Sequence, residues 1–187
     1  TSKLVISYEL PEDAMTLVQQ SANESTLGGH SNIREPDDRM QKVGEDALVG
    51  QIAEYAASVV ITGSEEGYTK ARDQKLEQPW HSDGGNDIDG VKGLDVKGSM
   101  MRYSENPLDY RLLVRPEERR LGWRFVLALV PKQRPYVCHL VGWAYSGDFP
   151  DEVYDGRIEA IKGTYVIKAT KLRRMDDLLC YAKYGII

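Results

Sequence analysis

Apolar residues between positions 37 and 61 recur at three- and four-residue intervals. They are Val43, Ala47, Leu48, Ile52, Tyr55, Ala56 and Val59. This spacing predicts a helix with one buried face over residues 37–61. Gly44 and Gly50 weaken its middle, so the segment is either two helices or one helix that packs closely against a neighbour. Shorter helices are predicted over residues 11–20, where proline begins the segment, and over residues 65–75.

Beyond Pro79 the apolar positions alternate with polar ones, which is typical of strands. Together with one N-terminal segment, the predicted strands are residues 4–8, 87–89, 94–99, 110–114, 123–130, 136–143 and 162–168. A short turn containing Pro, Lys and Gln joins the strands at 123–130 and 136–143 and predicts an antiparallel hairpin. A closing helix is predicted over residues 175–184. This order of elements predicts an α/β or α+β fold in which helices flank a mixed central sheet.

The chain length predicts one domain over residues 1–187, because 187 residues can bury a sizeable core. Residues 21–34 are rich in Ser, Asn and Gly and are predicted to form a mobile loop. The first forty residues are therefore expected to be an N-terminal helix followed by this loop.

The charge balance limits the ways in which the protein could use nucleic acid. Its 24 Lys and Arg against 29 Asp and Glu give a formal net charge of −5. This argues against a protein that coats nucleic acid non-specifically, since such binding depends on phosphate neutralisation. An enzyme remains compatible with the charge, because a site that holds divalent cations concentrates carboxylates.

The apolar segments and the cysteines indicate the cellular compartment. The apolar run at residues 125–130 is too short to cross a bilayer, and the first ten residues do not resemble a signal peptide. We therefore expect a cytoplasmic protein that makes no membrane contact, in a bacterial host or a phage-infected cell. Cys138 and Cys180 lack metal-ligand spacing and are expected to be reduced thiols packed in the core.

The strongest candidate chemistry lies on the two short strands predicted between residues 87 and 99. Asp95, Lys97 and Ser99 would share one face of the second strand, as Asp87 and Asp89 would share a face of the first. A hairpin would crowd these carboxylates, which repel one another unless a cation compensates them. Oxygen ligands of this kind suit Mg²⁺ or Mn²⁺. The alternative is a solvated polar face on which Lys97 simply pairs with Asp95.

The same residues resemble a known family pattern. The run Gly84-Gly85-Asn86-Asp87 followed by 95–99 (D-V-K-G-S) is similar to the "G-G-x-D … D-V-K-x-S" form of the PD-(D/E)xK, or restriction-endonuclease-like, nucleases of phages and bacteria. The resemblance implies that Asp87 and Asp95 are metal ligands and that Lys97 is the catalytic lysine. Asn86 stands where the pattern has proline.

A helical segment extends the resemblance. Residues 50–56 read G-Q-I-A-E-Y-A, which is similar to the family's "G-x-x-(G/A)-E-x-A" helix and implies that Glu54 is a third acidic ligand. Glu45, nine residues earlier, is the alternative. The match covers roughly residues 44–143. It implies a restriction-endonuclease-like fold and Mg²⁺- or Mn²⁺-dependent hydrolysis of DNA that leaves 5′-phosphate ends.

Further residues are candidates for contact with the substrate. Arg102, Ser99 and Gln51 lie near the predicted site in the sequence, and Asp89 and His81 are weaker candidates. The expected partner is DNA, with RNA as the other substrate to consider, and a homodimer is a candidate assembly because many relatives cut two strands as dimers.

Two other functions are open at this stage. One is a non-catalytic nucleic-acid-binding or inhibitor protein on the same fold. The other is a hydrolase that acts on a phosphorylated small molecule, for which the sequence offers no Gly-rich phosphate loop.

The remaining basic and aromatic residues allow more than one interpretation. Arg115, Arg119, Arg120 and Arg124 surround two glutamates. This cluster either grips a phosphate backbone or forms a solvated turn with local ion pairs. The three tryptophans, at positions 80, 123 and 143, are expected to be core aromatics.

Overall fold

The structure is a computed structural model that describes residues 4–27, 38–77 and 86–185. Within these residues the α-helices are α1 (Glu12–Leu27), α2 (Asp38–Thr62), α3 (Glu66–Glu77) and α4 (Met175–Lys183). The strands of the same described ranges are β1 (Ile6–Glu9), β2 (Leu94–Met101), β3 (Arg111–Val114), β4 (Arg124–Pro131), β5 (Val137–Tyr145) and β6 (Tyr165–Lys168). Short 3-10 helices fill several connections, among them Pro116–Glu118.

A mixed four-stranded sheet with the order β1-β5-β4-β2 organises the fold. β4 and β5 form the predicted antiparallel hairpin, and β1 pairs antiparallel with β5. β2 pairs parallel with β4, so that Lys97 lies opposite Leu127. β3 and β6 form a separate antiparallel pair. The prediction of a mixed sheet flanked by helices is confirmed.

The two faces of the sheet bury two different apolar clusters. Alternation along β4 sends Val126, Ala128 and Val130 to one side. That side also holds the buried residues of α1, α2 and α4. Phe125 and Leu127 point to the other side, where residues of β3 and β6 complete the second cluster. The helices therefore cover one face, while the small β3–β6 sheet covers the opposite face.

Helix α2 is continuous through both of its glycines. It lies directly on β2 at Gly98, where an added Cβ would be 2.9 Å from the Ala53 Cβ and 3.4 Å from the Gly50 Cα. Of the two alternatives left by the sequence, the single, closely packed helix is the one observed. The absence of a side chain at Gly98 allows this approach.

Helix α1 extends further than the sequence predicts. Residues 21–27 are helical rather than part of a loop. The hydroxyls of Ser21 and Ser25 donate to the carbonyls of Leu17 and Ser21, and Ala22 is buried. The hydroxyls thus bond within the helix instead of favouring a turn. The rest of the predicted loop, residues 28–34, lies outside the described residues.

The strand predicted over residues 87–89 is wrong. These residues form a bend and a turn, because the Val91 amide donates to the Ile88 carbonyl and Gly90 has a positive φ of 82°. The Asp89 amide donates to the Gly67 carbonyl at 2.9 Å, which ties the segment to α3 rather than to a strand partner. β2 consequently has β4 as its partner, not a neighbouring hairpin strand.

The remaining expectations have mixed outcomes. Cys138 is a buried free thiol, as predicted, but Cys180 is exposed, because it lies on the solvent side of the short helix α4. Trp143 is fully buried, as predicted, whereas Trp80 lies outside the described residues. No helix in the described parts of the chain is long and apolar enough to cross a membrane.

Candidate active site

Three elements and two connecting segments meet at a cavity of about 250 Å³. All four predicted catalytic residues line it, and they come from α2, from the turn before β2 and from β2 itself. The lining residues are Glu54, Lys75, Asp87, Asp95, Val96, Lys97, Glu118, Arg120 and Trp123. The side chains of Glu54, Asp87 and Asp95 are only 17–19% exposed, so their charges are largely removed from water.

Asp87 is held beside β2 although its own backbone is not in a strand. Its Oδ2 accepts a hydrogen bond of 2.6 Å from the Val96 amide, and its amide donates to the Leu94 carbonyl at 3.4 Å. The Asn86 side chain, at the position where the PD-(D/E)xK pattern has proline, accepts from the Gly93 amide at 2.7 Å. These bonds fix the turn and direct the Asp87 carboxylate toward Asp95.

Asp95 and Lys97 lie on the same face of β2, as their spacing predicts. The Lys97 Nζ is 2.9 Å from Asp95 Oδ2 and 3.0 Å from an oxygen of Glu118. Glu118 itself is fixed by the Arg115 amide, which donates to it at 3.0 Å. Lys97 is therefore held between two carboxylates at the edge of the cavity.

Lys75 of α3 makes a second bridge of the same kind. Its Nζ is 3.4 Å from Glu54 Oε2 and 3.4 Å from Asp87 Oδ1. It thus links the acidic residue of α2 with the acidic residue of the turn before β2.

The crowding of carboxylates changes their protonation. Burial, followed by repulsion from Asp87, raises the pKa of Glu54 to about 8. The same two causes raise the pKa of Asp95 to about 6. Burial lowers the pKa of Lys97, but Asp95 and Glu118 outweigh it and leave this pKa above its ordinary value. Lys97 is consequently an ammonium ion at neutral pH, suited to hold an anion or orient water rather than to accept a proton.

The donor set fits a hard divalent cation in kind. Four carboxylates border one cavity, and oxygen ligands of this kind suit Mg²⁺ or Mn²⁺. Burial and repulsion from Asp87 raise the pKa of two of them, Glu54 and Asp95. As the described residues stand, no three His, Cys, Asp or Glu side chains are grouped closely enough to hold a metal ion. Instead, Lys75 bridges Glu54 and Asp87, and Lys97 pairs with Asp95.

Other predicted residues do not line the cavity. Arg102 pairs with Glu45 at 3.6 Å and with Asp46 at 3.7 Å, which places Glu45 away from Glu54. Gln51 accepts a hydrogen bond from the Tyr68 hydroxyl at 2.7 Å.

The three remaining candidates differ in position. Asp89 accepts from the Gln74 amide group at 3.4 Å, and Ser99 is exposed further along β2. His81 lies outside the described residues.

Sequence reasoning did not assign five of the described lining residues to the site: Lys75, Val96, Glu118, Arg120 and Trp123. Lys75 lies on a helix with no motif, and only the tertiary contact reveals it. Arg120 belongs to the basic cluster, and Glu118 is one of the two glutamates that it surrounds. The Glu118 carboxylate forms an ion pair with Lys97. Trp123, expected in the core, is half-buried, with the Arg120 guanidinium 4.7 Å from its ring centroid.

Another arginine of the cluster has a structural role. Arg119 donates to the carbonyls of Ser146, Phe149 and Pro150, so its guanidinium holds a neighbouring loop. Neither interpretation of the basic cluster, a grip on a phosphate backbone or a solvated turn with local ion pairs, therefore describes all four arginines.

Comparisons with known proteins neither support nor refute the resemblance to the PD-(D/E)xK nucleases. The chain matches no family model, no curated protein and no solved structure.

Proposed function

We propose that this protein is a metal-dependent nuclease of the PD-(D/E)xK type that hydrolyses phosphodiester bonds in DNA. One observation carries the proposal. Glu54 lies on a helix, and Asp87, Asp95 and Lys97 belong to a later segment of the chain, yet all four match the family pattern and line the same cavity. If the match to the pattern were accidental, Glu54 of the helix would not be expected to line the same cavity as the other three residues.

The charge of the cavity supports the need for a cation. Four carboxylates and three basic side chains give the lining a formal charge of −1, which would repel a phosphodiester. Addition of a divalent cation changes the formal charge to +1 and favours an anionic substrate.

Each side chain has a role in this proposal. Glu54, Asp87 and Asp95 would hold Mg²⁺ or Mn²⁺, which when bound polarises a phosphoryl oxygen and favours ionisation of water. Lys97, as an ammonium ion, would orient the attacking water and stabilise the negative charge that develops on the phosphate. Arg120, which also lines the cavity, would contact a phosphate oxygen of the substrate.

The direct test is cleavage of supercoiled, linear and single-stranded DNA with Mg²⁺, Mn²⁺ or EDTA. We expect cleavage by the wild type with either metal and none with EDTA. Lys97→Met should reduce the rate by about a hundredfold or more, since one positioned charge in such a site commonly contributes this much. Lys92→Met, which changes an exposed lysine in the neighbouring turn, is the matched control and should retain the wild-type rate.

The preferred DNA form would separate endonuclease from exonuclease action, and RNA is the next substrate to try. If the wild type cleaves no nucleic acid and binds neither metal, the proposal is wrong.

A non-catalytic nucleic-acid-binding protein is the second candidate. It is favoured by the lysine bridges, which already compensate the carboxylates without a metal. In that case DNA would bind equally well with EDTA, and Asp95→Ala would leave the affinity unchanged. Fluorescence anisotropy with labelled DNA measures both.

A further inference from the structure

Lys75 lies beside two of the proposed metal ligands, and the inference drawn from its position rests on the proposed function. Its ammonium group lies at the same distance, 3.4 Å, from Glu54 Oε2 and from Asp87 Oδ1. These oxygens belong to two of the three proposed metal ligands, and they come from different elements. Lys75 therefore occupies the space between them that a shared cation would take.

The surrounding packing keeps Lys75 at this point. At the start of α3, a Cβ on Gly67 would lie 2.6 Å from the Ile88 side chain and 3.0 Å from the Asp89 carbonyl oxygen. The Asp89 amide donates to the Gly67 carbonyl at 2.9 Å. Helix α3 is thus attached directly to the turn that carries Asp87, so Lys75 and Asp87 are positioned together.

The Lys75 side chain can also move away from its two acidic partners into solvent. It is 47% exposed, whereas its two acidic partners are 17% exposed. A flexible four-carbon stem with a half-exposed head can swing toward solvent, while the carboxylates stay in the cavity.

We propose that Lys75 is a built-in counter-cation of the site, which neutralises Glu54 and Asp87 in the absence of metal and must leave their oxygens when a divalent cation binds. Lys75 and the cation then compete for the same two oxygens. Lys75 would lower the affinity of the site for metal while protecting the fold against carboxylate repulsion when metal is scarce.

The competition is tested by Mn²⁺ binding, measured by isothermal titration calorimetry on the full chain. Removal of the competing ammonium in Lys75→Met should tighten Mn²⁺ binding by about tenfold, the effect of two moderate ion pairs. Lys75→Arg keeps the charge and should bind Mn²⁺ within about twofold of the wild type.

Two features of the design separate competition from a general effect of charge. Lys70→Met removes a lysine from the same helix that pairs with Glu66 at the surface, and it should leave Mn²⁺ affinity unchanged. Thermal unfolding gives a second measure, since Lys75→Met should unfold at a lower temperature than the wild type in EDTA and recover when Mn²⁺ is added.

The outcomes distinguish this inference from the proposed function. Equal Mn²⁺ affinity in the wild type and Lys75→Met would overturn the inference and leave the nuclease proposal standing. An equal increase in Lys70→Met would also overturn it, because it would reflect overall charge. If Mn²⁺ binds neither the wild type nor Lys75→Met, the proposed metal site itself fails, and with it the inference.

Discussion

At the scale of single residues, the site is a set of carboxylates that destabilise one another. Burial and the nearby Asp87 raise the pKa of Glu54 to about 8 and that of Asp95 to about 6. Each of these groups binds its proton more tightly in the folded chain than in the unfolded chain. The stabilisation that protonation provides is therefore complete at low pH and is lost as the pH rises through the folded pKa.

This linkage predicts the pH dependence of stability. With EDTA present, the free energy of unfolding of the wild type should fall between about pH 4.5 and pH 8. Glu54→Gln should show a shallower fall and exceed the wild type by about 1 kcal/mol or more at pH 8, since one pKa unit corresponds to about 1.4 kcal/mol. Urea unfolding followed by circular dichroism measures both curves.

The matched control for this experiment is Glu45→Gln. Glu45 lies on the same helix, outside the cavity, and this variant should follow the wild-type curve. Identical pH dependence in the wild type and Glu54→Gln would contradict the unfavourable burial of the Glu54 charge. Addition of Mg²⁺ should narrow the difference, because a bound cation compensates the carboxylate that glutamine removes.

The sequence predicts part of the site well for a physical reason. The side chains of Asp95 and Lys97 are placed by the alternation of a strand, which local sequence encodes. The Val96 amide donates a hydrogen bond to the Asp87 side chain and holds it at the same cavity, although the strand predicted over residues 87–89 does not form. Lys75 and Glu118 arrive from separate elements through tertiary contacts that carry no local pattern, and sequence reasoning could not find them.

At the scale of elements, the site has two halves, Glu54 on α2 and the pair Asp95 and Lys97 on β2. The contact between α2 and β2 sets the distance between these halves. Glu54 follows Ala53 on α2, and Lys97 precedes Gly98 on β2. A Cβ on Gly98 would lie 2.9 Å from the Ala53 Cβ and 3.0 Å from the Val49 carbonyl oxygen. The helix was predictable from its period, but close packing against an unspecified neighbour was only one of two alternatives, because periodicity does not identify the neighbour of a helix.

Substitution of Gly98 should therefore separate the two halves. Gly98→Ala forces α2 and β2 apart and is expected to cost about 1–3 kcal/mol in the free energy of unfolding. Its cleavage rate should fall more than the loss of folded protein explains, because Glu54 moves relative to Lys97. Urea unfolding and single-turnover cleavage at a temperature where the variant is folded give the two values.

The neighbouring glycine of α2 should respond in the opposite direction. A Cβ on Gly50 meets nothing within 4 Å, and alanine is a better helix former than glycine. Gly50→Ala should therefore raise the free energy of unfolding by up to about 1 kcal/mol and leave cleavage unchanged. A loss of stability in Gly50→Ala would show that the contact between α2 and β2 is tighter than described.

At the scale of the whole molecule, one sheet joins the two apolar clusters. β4 and β5 contribute residues to both clusters. Loss of packing in one cluster therefore destabilises the strands that also support the other cluster. The cavity is lined in part by β2, one of the two edge strands of that sheet. Its geometry therefore depends on the integrity of both layers.

This arrangement predicts a single cooperative unfolding transition. Ile52→Ala in the helix-side cluster and Leu127→Ala in the opposite cluster should each lower the free energy of unfolding by about 2–5 kcal/mol. In both variants, tryptophan fluorescence and far-ultraviolet circular dichroism should give the same midpoint in urea. Two separate midpoints in Leu127→Ala would contradict the prediction of one domain.

The hydrogen bond from the Val96 amide to Asp87 Oδ2 also bears on which cation the cavity would select. Ca²⁺ takes about six to eight oxygen ligands and often uses both oxygens of a carboxylate, whereas Mg²⁺ keeps about six ligands, several of them waters. Asp87 could bind a cation through both oxygens only by weakening its 2.6 Å bond to the backbone. In the proposed metal site, this backbone bond would therefore favour Mg²⁺ over Ca²⁺.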